Sequence, residues 1–252
     1  MAEPFVAYDY VFPVVGGDLA PQAGAGVPGY VIRQVYGTAF CLAEDFFVTN
    51  RHVIENASAH PWWGLGFPEG RHWRAVPVQR HESWSDLDIG ICSAKVPRAR
   101  HLRWCSAEQA MLTEVQASGF PYALDLHALT LTIRSFRGTV VAARTWGSLS
   151  AEPRVYELSF PCPRGISGAP LWKVGPSPSV LGIIFGNSIT EMIVNQEVER
   201  TKEGSETIVY EKVEALHLGL AVQAQSVLSV ESSLLGMRVG EFLRRRNLLE
   251  AA

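Results

Sequence analysis

Apolar residues along this chain recur in short runs, some alternating with polar positions and some continuous. The runs fall at residues 31–43 (VIRQVYGTAFCLA), 46–50 (FFVTN), 72–80 (HWRAVPVQR), 87–94 (LDIGICSA), 115–120 (VQASGF), 128–144 (ALTLTIRSFRGTVVAAR), 155–160 (VYELSF) and 180–186 (VLGIIFG). Gly, Pro, Asp and Ser separate them, and helical periodicity is almost absent before residue 220. Many short strands at such spacing predict an all-β barrel or sandwich, not alternating strands and helices. Residues 15–29 (VGGDLAPQAGAGVPG) offer neither a helical nor an alternating apolar face. Residues 1–29 therefore read as an irregular lead-in, with the folded body beginning at Tyr30. Residues 195–212 (NQEVERTKEGSETIVYEK) are strongly charged around Gly204 and read as an exposed hairpin or loop insertion. From residue 222 the period changes. VQAQSVLSVESSLLG and VGEFLRRRNLL carry apolar residues at helical spacing, which predicts two helices with Gly236 as the stop between them.

Composition narrows the class. With 252 residues, 47% of them hydrophobic, the chain can fill a sizeable core, and its formal net charge of −3 provides no long-range attraction for a phosphate backbone. Nucleic acid is a poor partner on that ground. The first ten residues lack the basic and apolar regions of a signal peptide, and no run of apolar residues is long enough for a membrane span, so a cytoplasmic location and no membrane partner are expected. Cys41, Cys92, Cys105 and Cys162 form no Cys-x-x-Cys pair, which argues against a metal site or redox motif and for reduced thiols.

Three segments carry chemistry. A serine hydroxyl is almost wholly protonated at neutral pH, so a serine nucleophile needs a nearby base, a carboxylate to fix that base's tautomer, and donors for the developing oxyanion. Gly165-Ile166-Ser167-Gly168-Ala169-Pro170 lies between strand-like VYELSF and the apolar Leu171-Trp172. Glycine at 165 permits a backbone in which its N–H and that of Ser167 point into one concavity, and Gly168 lets a substrate approach closely. Gly37-Thr38-Ala39-Phe40 is followed, after an acidic turn, by Phe46-Phe47-Val48-Thr49-Asn50-Arg51-His52-Val53. Ser85-Asp86-Leu87-Asp88-Ile89-Gly90-Ile91-Cys92 sets an acidic residue before an apolar alternation. His60, His72, His81, His101, His127 and His217 read as surface or satisfied core residues.

The histidine and aspartate segments resemble those of the trypsin/chymotrypsin-like serine proteases, most closely in motif the bacterial high-temperature-requirement type, and the chain order His, Asp, Ser is that family's. The resemblance spans residues 30–232. It implies two antiparallel six-stranded β-barrels, one over residues 30–110 and one over 111–222, followed by a helical segment at 223–252. It also implies a serine endopeptidase acting on a protein or peptide substrate without a cofactor or metal, with His52, Asp88 and Ser167 as catalytic residues and the backbone of Gly165 and Ser167 as oxyanion hole. Asp86 is the fallback for the carboxylate. Pro161, Arg164, Ile184, Phe185 and Gly186 are the candidates for substrate binding, although Ile184 and Phe185 fit a β-core or rim position equally well.

Departures from the pattern also matter. Val14-Val15-Gly16-Gly17 resembles the amino-terminal tetrapeptide exposed on zymogen cleavage, but Ile166 stands where the partner aspartate belongs, and a buried ammonium without a carboxylate is costly. By the resemblance Cys41 matches one half of a family disulfide, but Val53 stands at its partner position just after the histidine, so that bridge cannot form. Pro161 stands where trypsin carries its pocket aspartate, which argues against a basic residue on the substrate. Two further readings stay open. One is an activating protein partner docked on the basic run Arg244-Arg245-Arg246, and the other is a proteolytically silent double barrel that serves as a binding module.

Overall fold

A computed structural model describes residues 7–19, 30–70, 72–121, 124–125, 130–175, 178–200 and 206–250. The apolar alternation of the first half builds seven strands: β1 (Val11–Leu19), β2 (Tyr30–Ala43), β3 (Phe46–Asn50), β4 (Trp62–Glu69), β5 (His72–Pro77), β6 (Arg80–Trp84) and β7 (Ile89–Ser93). Helix α1 (Arg51–Ser58) leaves the end of β3. The strands form one antiparallel sheet in the order β5-β4-β1-β2-β3-β7-β6. Its two ends are consecutive in the chain, divided only by Val78 and Gln79. The Val78 N–H donates to Trp63 O on the β4 side and the Gln79 N–H to Ser93 O on the β7 side, so the sheet curls back on itself at this corner.

The second half supplies β8 (Arg103–Trp104), β9 (Glu114–Gly119), the two-residue strands β10 (Leu124–Asp125) and β11 (Thr130–Leu131), β12 (Arg134–Thr145), β13 (Arg154–Leu158), β14 (Pro170–Lys173), β15 (Ser179–Arg200) and β16 (Glu206–Gln223). Six of them close a barrel in the order β14-β9-β12-β13-β16-β15, with β14 pairing back to β15 and β8 added in parallel at Ser179 and Val180. The architecture is all-β with two antiparallel barrels. The charged segment is a hairpin: β15 and β16 stay paired from Gly182↔Gln223 out to Arg200↔Glu206, and residues 201–205 at its tip lie outside the described residues.

Apolar side chains gather in three places. Phe12, Val14, Phe47, Val53 and Leu65 fill the first barrel, and Val115, Tyr156, Leu158, Leu171 and Ile184 fill the second. The largest cluster lies between them, where Phe40, Ile89 and Ile91 meet Trp104, Phe120, Trp172 and Ile183. Trp104 is fully buried and faces Phe40 at 5.6 Å, and its backbone bonds to Leu248 and Glu250 hold the C-terminal end in the seam.

Two expectations are corrected. The lead-in is not irregular over residues 11–19, because β1 is an inner strand paired with both β2 and β4, while residues 20–29 lie outside the described residues. Its glycines misled because they serve close packing: a Cβ on Gly17 would stand 1.9 Å from Val31 O. The C-terminal segment is not two helices stopped by Gly236. Helix α2 (Ala224–Leu228) has only five residues, and a small hairpin of β17 (Glu231–Ser232) and β18 (Met237–Arg238) intervenes before α3 (Val239–Arg245). Gly236, at φ +70, sits in the hairpin turn. The Glu82 carboxylate on β6 fixes this hairpin by accepting from the hydroxyls of Ser232 and Ser233 and from the Ser233 N–H.

Val11, Phe12, Val14 and Val15 are each at most 2% exposed. Burial of such side chains contributes about 1.5–3 kcal/mol apiece, together comparable with the whole stability of a domain. A chain beginning at Tyr30 is therefore expected to lose cooperative urea unfolding and near-UV circular dichroism. Retention of both would show that β1 is dispensable.

Candidate active site

Strand β3 ends at Asn50, and His52 falls in the first turn of α1, which is anchored by the buried Val53, Ile54 and Ala57. The first N–H groups of a helix have no partner within it. Asp88 supplies two of these partners, accepting the Arg51 N–H on its carbonyl at 3.2 Å and the His52 N–H on Oδ1 at 3.0 Å. Its other oxygen, Oδ2, lies 2.7 Å from His52 Nδ1. The buried Asn50 amide also donates to the Asp88 carbonyl at 2.9 Å, holding Asp88 at φ +52, a left-handed conformation that aspartate tolerates better than most residues. With Nδ1–H given to the carboxylate, Nε2 is left as the acceptor of the ring. The side chain of Asp88 is 16% exposed and that of His52 is 40% exposed, so the carboxylate is screened while the imidazole reaches solvent. Asp86 takes no part, and its carbonyl accepts the Ala151 N–H.

Ser167 sits on the turn between β13 and β14, in which Gly165 and Gly168 have φ of +101 and +87. Neither position has room for a side chain: a Cβ at 165 would stand 2.6 Å from Phe120 O, and one at 168 would stand 2.0 Å from Thr38 O. Thr38, fully buried on β2, organises the turn. Its hydroxyl donates to Gly165 O and accepts the Phe120 N–H, both at 3.0 Å, and its N–H donates to Ser167 O at 2.8 Å. Its carbonyl accepts the Thr49 hydroxyl at 2.7 Å. Among the described residues the N–H groups of Gly165 and Ser167 donate to no backbone carbonyl, which leaves both as free donors beside the serine.

Gly37 marks where the two halves meet, since a Cβ there would touch Val53 Cγ2 at 2.6 Å and Ser167 O at 2.8 Å. The Ser167 carbonyl and Val53, the residue that follows His52, thus both lie against Gly37. No hydrogen bond joins the Ser167 and His52 side chains among the described residues. Burial pushes the Cys41, Cys92 and Cys162 thiols up to about 12 and keeps them protonated.

The other predicted residues divide. Pro161 and Arg164 are exposed on the serine turn. Burial pushes the Tyr36 hydroxyl up, and the Arg164 guanidinium works against that shift. Tyr36 is itself hydrogen-bonded to His60. The Ile184 side chain faces the second barrel's core, which corrects its reading as a pocket wall, and it acts through its backbone by bonding Gly168 and Ala169. Phe185 turns its ring onto Trp146, and Gly186 faces open space. Sequence reasoning missed Asn187, whose amide accepts the Cys162 N–H at 2.6 Å and donates to Cys162 O at 2.7 Å, tying β15 to the segment before the serine. That pairing is tertiary and leaves no local signal. His127 lies outside the described residues. No cluster of potential metal ligands occurs among the described residues.

The family model of the trypsin-like peptidase domain matches residues 37–183. No curated protein matches the sequence. Among solved structures, the HtrA-type protease AlgW with a decapeptide is 15% identical, with a TM-score of 0.58 over 97% of this chain and 74% of that one. The active form of the Rv3671c protease from M. tuberculosis is also 15% identical, at TM-score 0.56 over 97% and 84%. The MamO protease domain of Magnetospirillum magneticum is 14% identical, at TM-score 0.54 over 89% and 97%.

Replacing Thr38 by Val removes the hydroxyl while keeping its volume, stranding the Phe120 N–H and the Gly165 carbonyl. The expected cost is roughly 2–4 kcal/mol in urea unfolding, with Thr38→Ser retaining most of the stability. A Val variant as stable as the parent would refute this role.

Proposed function

The chain belongs to the trypsin-like peptidase domain family, and we propose that it is a serine endopeptidase whose reaction runs through His52, Asp88 and Ser167. The observation that carries this reading is the doubly bonded Asp88 carboxylate, with Oδ1 on the His52 N–H and Oδ2 on Nδ1. It fixes both the position of the imidazole and the nitrogen that bears the proton. His52 Nε2 takes the Ser167 proton as Oγ attacks the peptide carbonyl, and the Gly165 and Ser167 N–H groups hold the oxyanion. The protonated imidazole then hands that proton to the leaving amine, giving an acyl-enzyme. Water, deprotonated by the same ring, releases the acid and restores the serine. Asp88 stays ionised throughout, and its negative charge stabilises the imidazolium.

Catalytic hydrogen bonds often tighten only when substrate is bound, so the Ser167–His52 bond is expected to form on engagement of a substrate, with a partner on the basic run as a second reading. Of the basic run, Arg245 pairs with Glu241, and Arg246 pairs with Glu44 while stacking on Phe242. Arg244 forms no ion pair among the described residues and lines a cleft with Leu228 and Leu249, which makes it the cation of that run available to a partner.

Ser167→Ala is expected to abolish labelling by a fluorophosphonate probe, and Asp88→Asn to lower kcat by about 10⁴-fold through the wrong imidazole tautomer. Undiminished labelling of the Ala variant would overturn the assignment.

A further inference from the structure

We propose that the cleft between α2 and α3 is a docking site for an acidic segment of a protein partner, one that carries an Asp or Glu between apolar residues. This deepens the reading above of Arg244 as the cation open to a partner, and it names the chemistry which that partner brings. The two helices cross closely here, since a Cβ on Gly240 in α3 would stand 2.9 Å from Leu228 O at the end of α2. Beside the crossing lies a cleft of about 700 Å³, within the usual size range of a ligand site.

One wall of the cleft is held firmly by backbone bonds. The Trp104 N–H donates to Leu248 O at 2.7 Å, the Glu250 N–H to Trp104 O at 2.8 Å, and the Cys105 N–H to Val180 O at 2.9 Å. Trp104 is itself fully buried in the seam. Ser106 and Leu249, the neighbours of these bonds in the chain, line the cleft from that side. The wall is therefore tied to β15 and formed before a partner arrives, which lowers the ordering cost of binding.

Charge selects the occupant. Arg238, Arg244 and Arg245 all line the cleft. Arg238 pairs with Glu231 and Arg245 with Glu241, so Arg244, exposed and without an ion pair among the described residues, is the uncompensated charge. Both existing pairs are open to water, with side chains 70% and 71% exposed in the first and 62% and 45% in the second. Ion pairs at such exposure contribute little, so an incoming carboxylate can draw on these arginines as well. A guanidinium holds a carboxylate through two parallel N–H···O bonds, a geometry that an amide or a basic side chain cannot supply. Leu228 and Leu249, both half-buried, share the cleft with Arg244, and covering them takes apolar side chains next to the acid. A membrane surface fits less well, because attraction to anionic headgroups takes a cluster of uncompensated basic residues, and here one stands in a concavity beside Glu241.

The test selects random peptides displayed on phage against the full chain carrying Ser167→Ala, so that no peptide is cut. Enriched sequences are expected to hold an Asp or Glu flanked by apolar residues. A synthetic peptide of the enriched sequence should bind about fivefold more weakly or worse when Arg244 is replaced by Gln, and as much more weakly when its own acid is replaced by the amide. The two changes together should cost no more than either alone, as expected of groups that act on each other. With the serine intact, the Arg244→Gln chain should keep the parent's near-UV circular dichroism and fluorophosphonate labelling. Failure to enrich any peptide, enriched peptides without an acid, or binding indifferent to Arg244→Gln would overturn the docking site and leave the peptidase reading standing. Absence of labelling in the parent chain, with peptide binding intact, would overturn the peptidase reading alone. Flotation of the chain with phosphatidylserine vesicles that Arg244→Gln abolishes, without peptide binding, would assign the cleft to a lipid surface and likewise refute the proposal.

Discussion

A curled sheet and a closed barrel have many ways to pack, and what fixes their arrangement here is a polar contact inside an apolar seam. Thr38, on a strand of the first barrel, uses its hydroxyl, N–H and carbonyl in four hydrogen bonds, three of them to residues of the second barrel or the serine turn. A buried polar group without partners is costly, so displacement of one barrel against the other would break several of these bonds together. The apolar cluster around Trp104 supplies adhesion, and Thr38 supplies registration. Because Ser167 and Gly165 are among its partners, the registration acts at the turn that carries the proposed nucleophile and oxyanion donors.

The first barrel positions the proposed base by a separate route. Asp88 terminates α1 and pairs with the His52 ring in the same geometry, so one carboxylate sets the helix start and the imidazole orientation. Asn50 and Arg51 fix the Asp88 backbone in turn, which spreads the constraint over β3, α1 and the turn before β7. The C-terminal segment adds a brace of its own: Glu82 grips the β17–β18 hairpin while the backbone of Trp104 holds Leu248 and Glu250. Beyond this braced body the β15–β16 hairpin projects as a ribbon, continuous with the strand that contacts the serine turn.

What was legible in the sequence follows from how local each cause is. Strands β3 and β7 could be read because their apolar runs answer to burial on both faces, and the His52–Asp88 pairing because the short motifs around both residues resemble those of the peptidase family. Strand β1 was hidden because Gly16 and Gly17 look like loop residues until Tyr36, His60 and Val31 are brought against them. The C-terminal helices were overcalled for the same reason. The spacing of Val227, Val230 and Leu235 suits a helix, but Ser232 and Ser233 are claimed by Glu82 from the first barrel, and that bond favours a hairpin. Ile184 read equally well as a pocket or a β-core residue, and its side chain completes the core of the second barrel. Asn187 had no signal at all, since its meaning lies in the backbone of Cys162.

The account turns on whether the seam delivers the Ser167 hydroxyl to the free nitrogen of His52 and the carbonyl oxygen to the two glycine-loop donors. The most direct measurement is a crystal structure of the chain after reaction with a peptidyl phosphonate. The prediction is phosphorus bonded to Ser167 Oγ, its oxygen within hydrogen-bond distance of the Gly165 and Ser167 N–H groups, and His52 Nε2 within reach of the adduct while Nδ1 stays on Asp88. An adduct on another residue, or one on Ser167 with the imidazole out of range, would contradict it.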